Sequence, residues 1–151
     1  LTDYFFDTSA LLKRYLRESG SDWVRALLRS PLHSITLSTL ATVEVNAVVA
    51  RQQKGQRLTL LRINRIRALY LAHLSAANGY IRIPISEALL ERASDLAGQY
   101  QLRALDSIHL ASAIIGRAAM NIQFVFVTSD KELLAAAKAE KFPIDDPLLH
   151  P

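Results

Sequence analysis

Four acidic residues stand where a carboxylate can do chemistry. Asp7 follows the apolar run Tyr4-Phe5-Phe6, Glu44 lies among Val43, Val45, Ala47 and Val48, Asp106 opens the stretch Ser107-Ile108-His109-Leu110, and Asp130 follows Val127-Thr128-Ser129. Glu44 is the most informative, because Leu40, Ala47 and Val48 at i−4, i+3 and i+4 make its helix face apolar. A carboxylate pointing into such a face needs a partner. Two unit charges about 4 Å apart interact by roughly 4 kcal/mol at an effective dielectric of about 20, so several carboxylates share one pocket only when a cation neutralises them. The sequence holds no cysteine, and its four histidines, His33, His73, His109 and His150, include no pair at H-x-x-x-H spacing. Thiolate zinc sites, iron–sulfur clusters and cysteine nucleophiles are thereby excluded. An all-oxygen site suits Mg²⁺ or Mn²⁺. Such an ion acidifies a water and neutralises a phosphodiester attacked in line, and the hydroxyls of Ser9, Thr128 and Ser129 can hold the waters around it.

The elements that must position these acids follow from periodicity. Tyr4-Phe5-Phe6 reads as a strand stopped by Asp7, with a short helix opened by Thr8-Ser9 and carrying Ala10, Leu11, Leu12 and Tyr15. A second helix from Ser21 or Asp22 ends before Pro31, and a strand covers His33 to Leu37. Helices over about 38–53 and 58–77, stopped by Gly55 and by Asn78-Gly79, form a helical hairpin. Tyr80 to Ile83 is a strand, helices follow over 87–100 and 105–119, and Gln123 to Val127 is the clearest buried strand. A last helix spans 131–141, and Phe142-Pro143-Ile144 adds a short strand. Strands alternating with helices predict an α/β fold, a parallel β-sheet flanked by helices, in one domain spanning 1–151. In such sheets ligands bind at the carboxyl ends of strands, where Asp7 and Asp130 stand.

The segments Phe6-Asp7-Thr8-Ser9-Ala10-Leu11, Thr42-Val43-Glu44, Leu105-Asp106-Ser107-Ile108-His109-Leu110-Ala111 and Val127-Thr128-Ser129-Asp130 resemble, in order and approximate spacing, the four acidic motifs of PIN-domain ribonucleases. The similarity is closest to VapC-type toxins of toxin–antitoxin pairs. The resemblance implies a PIN-like three-layer α/β/α fold and a Mg²⁺- or Mn²⁺-dependent endoribonuclease. Asp7 and Asp106 would be its principal metal ligands, completed by Glu44 and Asp130. It also implies an RNA substrate, restraint by a cognate antitoxin and a homodimer. Ser107 stands where alanine is frequent, and Glu140-Lys141-Phe142 lacks a glycine often found near that turn.

Plainer readings exist for each acid. Asp7 and Asp106 can serve as helix caps, and Asp130 as a first-turn acid favoured by the helix dipole. Ser129-Asp130-Lys131-Glu132 fits a capping box with Ser129 as cap. Glu44 can pair with Arg51, two turns along, and His109 reads as a buried supporting residue. Two other functions stay open. One is a non-catalytic RNA- or protein-binding module. The other is a phosphatase using Asp7 as nucleophile, although Ser9 stands where a second acid is wanted and Lys131 is the only candidate lysine.

The net charge of +4, from 18 Lys+Arg against 14 Asp+Glu, is local. Arg51, Lys54, Arg57, Arg62, Arg65 and Arg67 lie in one stretch without an acid, a candidate surface for RNA phosphates or an acidic partner segment. Leu60, Leu61, Ile63, Ile66, Leu69, Tyr70 and Leu71 crowd the same helix beyond one stripe, which predicts a second covered face, supplied by a dimer or an antitoxin. No basic leader followed by an apolar run is visible and no apolar window approaches about 20 residues, so a cytoplasmic protein with no membrane partner is expected.

Overall fold

Phe5 and Phe6 are adjacent, both fully buried, and belong to different cores. That is possible only in a strand covered on both faces, because successive side chains point to opposite sides of a sheet. Phe126 and Val127 divide in the same way. The computed structural model, which describes residues 1–77 and 79–150, shows the sheet that this requires.

The elements run β1 (Thr2–Phe6), α1 (Thr8–Leu12), α2 (Ser21–Arg29), β2 (His33–Ser38), α3 (Leu40–Lys54), α4 (Leu60–Ser75), β3 (Ile81–Ile83), α5 (Glu87–Tyr100), α6 (Ala104–Met120), β4 (Val125–Val127), α7 (Lys131–Ala139) and β5 (Ile144–Asp145), with a short 3₁₀ turn over Pro147–Leu149. The five strands are all parallel, in the order β3-β2-β1-β4-β5. One core packs β1 and β2 against α1, α2, α3 and α4 through Phe6, Leu11, Val24, Leu37, Val45 and Ile63. The other packs β1 and β4 against α5, α6 and α7 through Phe5, Phe126, Leu89, Leu96, Leu110 and Leu133. The three-layer α/β expectation therefore holds.

The short strands have a local reason. Only Tyr4, Phe5 and Phe6 of β1 pair with Val125, Phe126 and Val127, so the ladder to β4 is three residues long and Gln123 and Phe124 precede it. Gly116 lets α6 lie close to the sheet, since a Cβ there would stand 2.9 Å from Ile83 Cδ1. The α3–α4 hairpin forms as its apolar pattern predicts, but α4 ends at Ser75. Asn78, read above as part of its stop, lies outside the described residues. Gly55 ends α3 with a negative φ, and the left-handed position falls on Gln56 at φ 54°. The 3₁₀ turn after β5 has no counterpart in the sequence reading. It carries the chain to His150, whose ring stacks on Trp23 with centroids 4.3 Å apart. Trp23 is accordingly only partly buried.

Chain order makes β1 the turning point of the sheet. From β1 the chain goes to β2 and β3 on one side, then returns to β4 and β5 on the other. Between the carboxyl ends of β1 and β4 a crevice is left, which is where parallel α/β sheets bind ligands. The backbone N–H of Asp7 donates to the Val127 carbonyl at 3.1 Å and closes its floor. Among the described residues no helix is long and apolar enough to cross a membrane.

Away from this crevice, the Tyr15 hydroxyl lies 2.7 Å from His73 Nδ1 and 2.8 Å from the Tyr80 hydroxyl, to which Arg14 also donates. Burial, helped by the charge of Arg14, lowers the His73 pKa to about 4. A histidine held neutral stabilises the fold above its ordinary pKa near 6.5, and that contribution is lost as pH falls from there toward 4. An NMR titration should find the His73 ring still neutral at pH 5.5, with urea stability declining below pH 6. A midpoint near 6.5 would contradict the assignment.

Candidate functional site

The crevice is a cavity of about 510 Å³ lined by Asp7, Thr8, Ser9, Glu44, Arg103, Ala104, Leu105, Asp106, His109, Ser129 and Asp130. All four acids singled out by the sequence line this one cavity, although they come from four separated segments. β1 ends at Asp7, α3 carries Glu44, α6 carries Asp106 in its first turn, and Asp130 opens α7 after β4.

Asp7 is 3% exposed. Its Oδ1 accepts from the Ala10 N–H at 2.8 Å, and its Oδ2 accepts from the Ser9 and Thr128 hydroxyls, both at 2.7 Å. Burial pushes its carboxyl above the usual carboxylate range, against the opposing pull of the His109 charge and of these three donors. A carboxylate has about four acceptor positions, so one remains for a ligand. Asp7 does cap α1, so here the structural and functional readings describe the same side chain.

Glu44 does not point into a packed core. The buried face of α3 is Ala41, Val45 and Val49, and Glu44 sits beside that stripe with 22% of its side chain exposed to the cavity. Its partner is His109, whose Nε2 lies 2.5 Å from Glu44 Oε1, while the Thr8 hydroxyl donates to the same oxygen at 2.7 Å. A carboxylate can only accept, so Nε2 carries the proton. Burial drives the Glu44 carboxyl up, but the His109 hydrogen bond and charge, with the Thr8 hydroxyl, hold it below its ordinary range. No Glu44–Arg51 pair occurs among the described residues.

Asp130, rather than Ser129, caps α7: its Oδ1 accepts from the Leu133 N–H at 2.9 Å. Ser129 Oγ is buried in the cavity wall without a partner among the described residues. Asp106 is not a cap; α6 is preceded by Arg103, which makes no side-chain cap bond. Instead, Arg103 Nε donates to Asp106 Oδ2 at 2.9 Å and its Nη2 donates to Asp130 Oδ2 at 3.0 Å. Both carboxylates raise the Arg103 pKa further, the hydrogen bond to Asp106 most. Lys131 does not line the cavity, which removes the lysine that an aspartyl-phosphate mechanism wants.

Two residues of the site, Thr8 and Arg103, lie beyond the sequence reading. Thr8 was read only as a helix opener, and Arg103 was not singled out, although its i,i+3 spacing to Asp106 is the signal that could have found it. His109 does take the buried, supporting place that the sequence suggests, bonded to Glu44.

The donor set fits a hard divalent cation. The ligating atoms offered are carboxylate oxygens, and the unpartnered Ser129 hydroxyl is of the kind that a coordinated water satisfies. Among the described residues, no three acids or histidines stand close enough together to hold an ion as the side chains lie.

The six cations of the hairpin lie elsewhere. None lines the acid cavity, and none pairs with a carboxylate among the described residues. Arg51, Lys54, Arg57, Arg62 and Arg65 are exposed, and Arg67 is half-buried with its Nε donating to Asn46 Oδ1 at 2.9 Å. Leu60, Leu61, Leu69 and Leu71 remain exposed beside them.

Comparison with known proteins agrees with this architecture. Residues 4–139 match the PIN domain family. Ribonuclease VapC47 of Mycobacterium tuberculosis (strain CDC 1551 / Oshkosh) is 32% identical over 147 residues, covering 95% of this chain and 96% of that protein. Two solved structures share the fold. A toxin–antitoxin complex from Klebsiella pneumoniae aligns with TM-score 0.60 at 21% identity, over 95% of this chain and 97% of that chain. VapBC2 from Rickettsia felis, bound to a DNA fragment from their promoter, aligns with TM-score 0.62 at 14% identity, over 96% and 98%.

Thr128→Val tests whether Asp7 depends on its donors. Removing one hydroxyl from a buried charge should destabilise the protein by about 1–3 kcal/mol in urea unfolding at pH 7. Thr128→Ser should recover most of the loss, and equal losses in both would show that the methyl group, not the hydroxyl, matters.

Proposed function

The chain belongs to the PIN-domain family, and on that footing we propose that it is a VapC-type toxin, a metal-dependent endoribonuclease restrained by a cognate antitoxin. The observation that carries this reading is the convergence of Asp7, Glu44, Asp106 and Asp130 on one cavity at the sheet's turning point. The 32% identity to a ribonuclease over nearly the whole of both chains supports it.

Asp7 and Asp106 would hold Mg²⁺ or Mn²⁺, with Glu44 and Asp130 completing the set directly or through water. When bound, the ion supplies charge neutralisation, an acidified water and polarisation of the phosphoryl group. The protein's own residues supply placement. Ala10, Ser9 and Thr128 fix both oxygens of Asp7, so its remaining acceptor position has one direction. Thr8 and His109 hold Glu44 Oε1, and Oε2 makes no hydrogen bond among the described residues. The buried Ser129 hydroxyl, without a partner among the described residues, would be free to bind a water there. Preorganised groups of this kind need little rearrangement when charge develops on the phosphodiester.

The basic hairpin has a separate use in this reading. Its cations stand outside the cavity and alternate with exposed leucines, a mixture suited to an acidic amphipathic segment of an antitoxin more than to RNA alone. Exposed Val43 and Leu71, with Thr42, Val45, Asn46, Arg67 and Tyr70, line an apolar cavity of about 390 Å³ that suits the homodimer contact. RNA in the cytoplasm is the substrate the reading requires.

Freed of any bound partner, the protein should cut a diverse RNA pool in Mn²⁺ and stop in excess EDTA. Asp7→Asn should lower cleavage at least about a hundredfold while keeping the fold. It should also melt no lower than the wild type at pH 7, because burial disfavours the charge it removes. Activity persisting in EDTA would overturn the metal mechanism, and failure to cut any RNA would make this a binding module.

A further inference from the structure

We propose that Arg103 is an internal counter-cation of the acid site, a latch that bridges Asp106 and Asp130 until a divalent ion displaces it. The inference rests on the metal reading above and goes beyond it by assigning a role to a residue that no acid motif contains.

The oxygens decide the matter. Asp130 Oδ1 already accepts from the Leu133 N–H as the cap of α7, so Oδ2 is the oxygen with no bond to the helix and the freer of the two to meet an ion. That oxygen is the one Arg103 Nη2 holds at 3.0 Å. On the other side Arg103 Nε takes Asp106 Oδ2 at 2.9 Å. One planar guanidinium thus spans two carboxylates from two helices, geometry that a lysine's point charge does not reproduce. An ion drawn to Asp130 Oδ2 meets the Arg103 charge at the same oxygen, and two positive charges there repel each other.

The latch is also free to leave. The Arg103 side chain is 75% exposed and makes no hydrogen bond other than those to the two acids among the described residues. Its backbone is extended at the start of α6, so the arm can swing without repacking a core. Once released it stands at the cavity mouth, next to Ala104 and Leu105, with five donors facing the approach of a phosphodiester. Until then it offsets the repulsion between Asp106 and Asp130, which keeps the metal-free site from spreading.

Calorimetric titration of the metal-free full chain with MnCl₂ tests this directly. Arg103→Gln should bind Mn²⁺ about fivefold more tightly than wild type, the size expected when an exposed ion pair no longer competes. Lys131 is exposed beside Asp130 and makes no ion pair among the described residues. Lys131→Gln removes the same charge without touching the bridge and should stay within about twofold. Equal affinities for wild type and Arg103→Gln would overturn the latch and leave the metal reading intact. Equal tightening by both variants would reduce the effect to bulk charge and overturn it too. No Mn²⁺ bound by any of the three would overturn the metal reading and the latch with it. As a second readout, the Arg103 Nε–H should be rigid by heteronuclear NOE without metal and mobile with Mg²⁺; a signal unchanged by Mg²⁺ contradicts displacement.

Discussion

A buried carboxyl group organises this molecule. Asp7 has almost no contact with solvent, and a carboxylate in that position is tolerable only when donors meet both its oxygens. The fold provides them from both directions along the chain. Ser9 and Ala10 come from the turn into α1, and Thr128 comes from the end of β4, 121 residues away. The parallel pairing of β1 with β4 is what brings Thr128 there. The constraint therefore links the centre of the sheet to the chemistry at its edge: weakening the β1–β4 ladder exposes the charge, and removing the charge removes the acid from the cavity.

The other acids repeat this economy with smaller stakes. Asp130 caps α7 with one oxygen and faces the cavity with the other, and Glu44 gives one oxygen to Thr8 and His109. Capping and ligation are alternatives only when a carboxylate is counted as one acceptor; with two oxygens it can do both. The immobilised oxygen fixes the direction of the free one. Helix ends and strand ends supply that rigidity cheaply, which is why acids at these positions suit metal chemistry.

The layout of strands and helices was legible because both periodicities are clean. Phe5-Phe6 and Phe126-Val127 could be buried on both sides only in a covered parallel sheet, and Asp7 and Asp130 could be placed at strand ends from the apolar runs before them. What escaped reading depends on side-chain paths through space. The helical wheel put Glu44 on the apolar face, whereas the packed stripe is Ala41, Val45 and Val49, one position around. Its real partner, His109, is 65 residues away and has no local signal. Arg103 had one, its spacing to Asp106, but the bridge to Asp130 needed the α6–α7 arrangement. The cap of α7 fell one residue from expectation, since Ser129 and Asp130 are both competent and the backbone direction at the end of β4 selects between them.

The charge distribution separates two tasks. Carboxylates gather at the sheet's turning point, while arginines that form no ion pair among the described residues, with exposed leucines, lie on the α3–α4 hairpin, outside that cavity. The central claim is that the carboxylates are a divalent-cation site. Anomalous scattering from crystals grown with MnCl₂ tests it most directly. The account predicts a manganese peak inside the cavity, within bonding distance of Asp7 and Asp106. A cavity without such a peak, or manganese bound only elsewhere on the molecule, would contradict it.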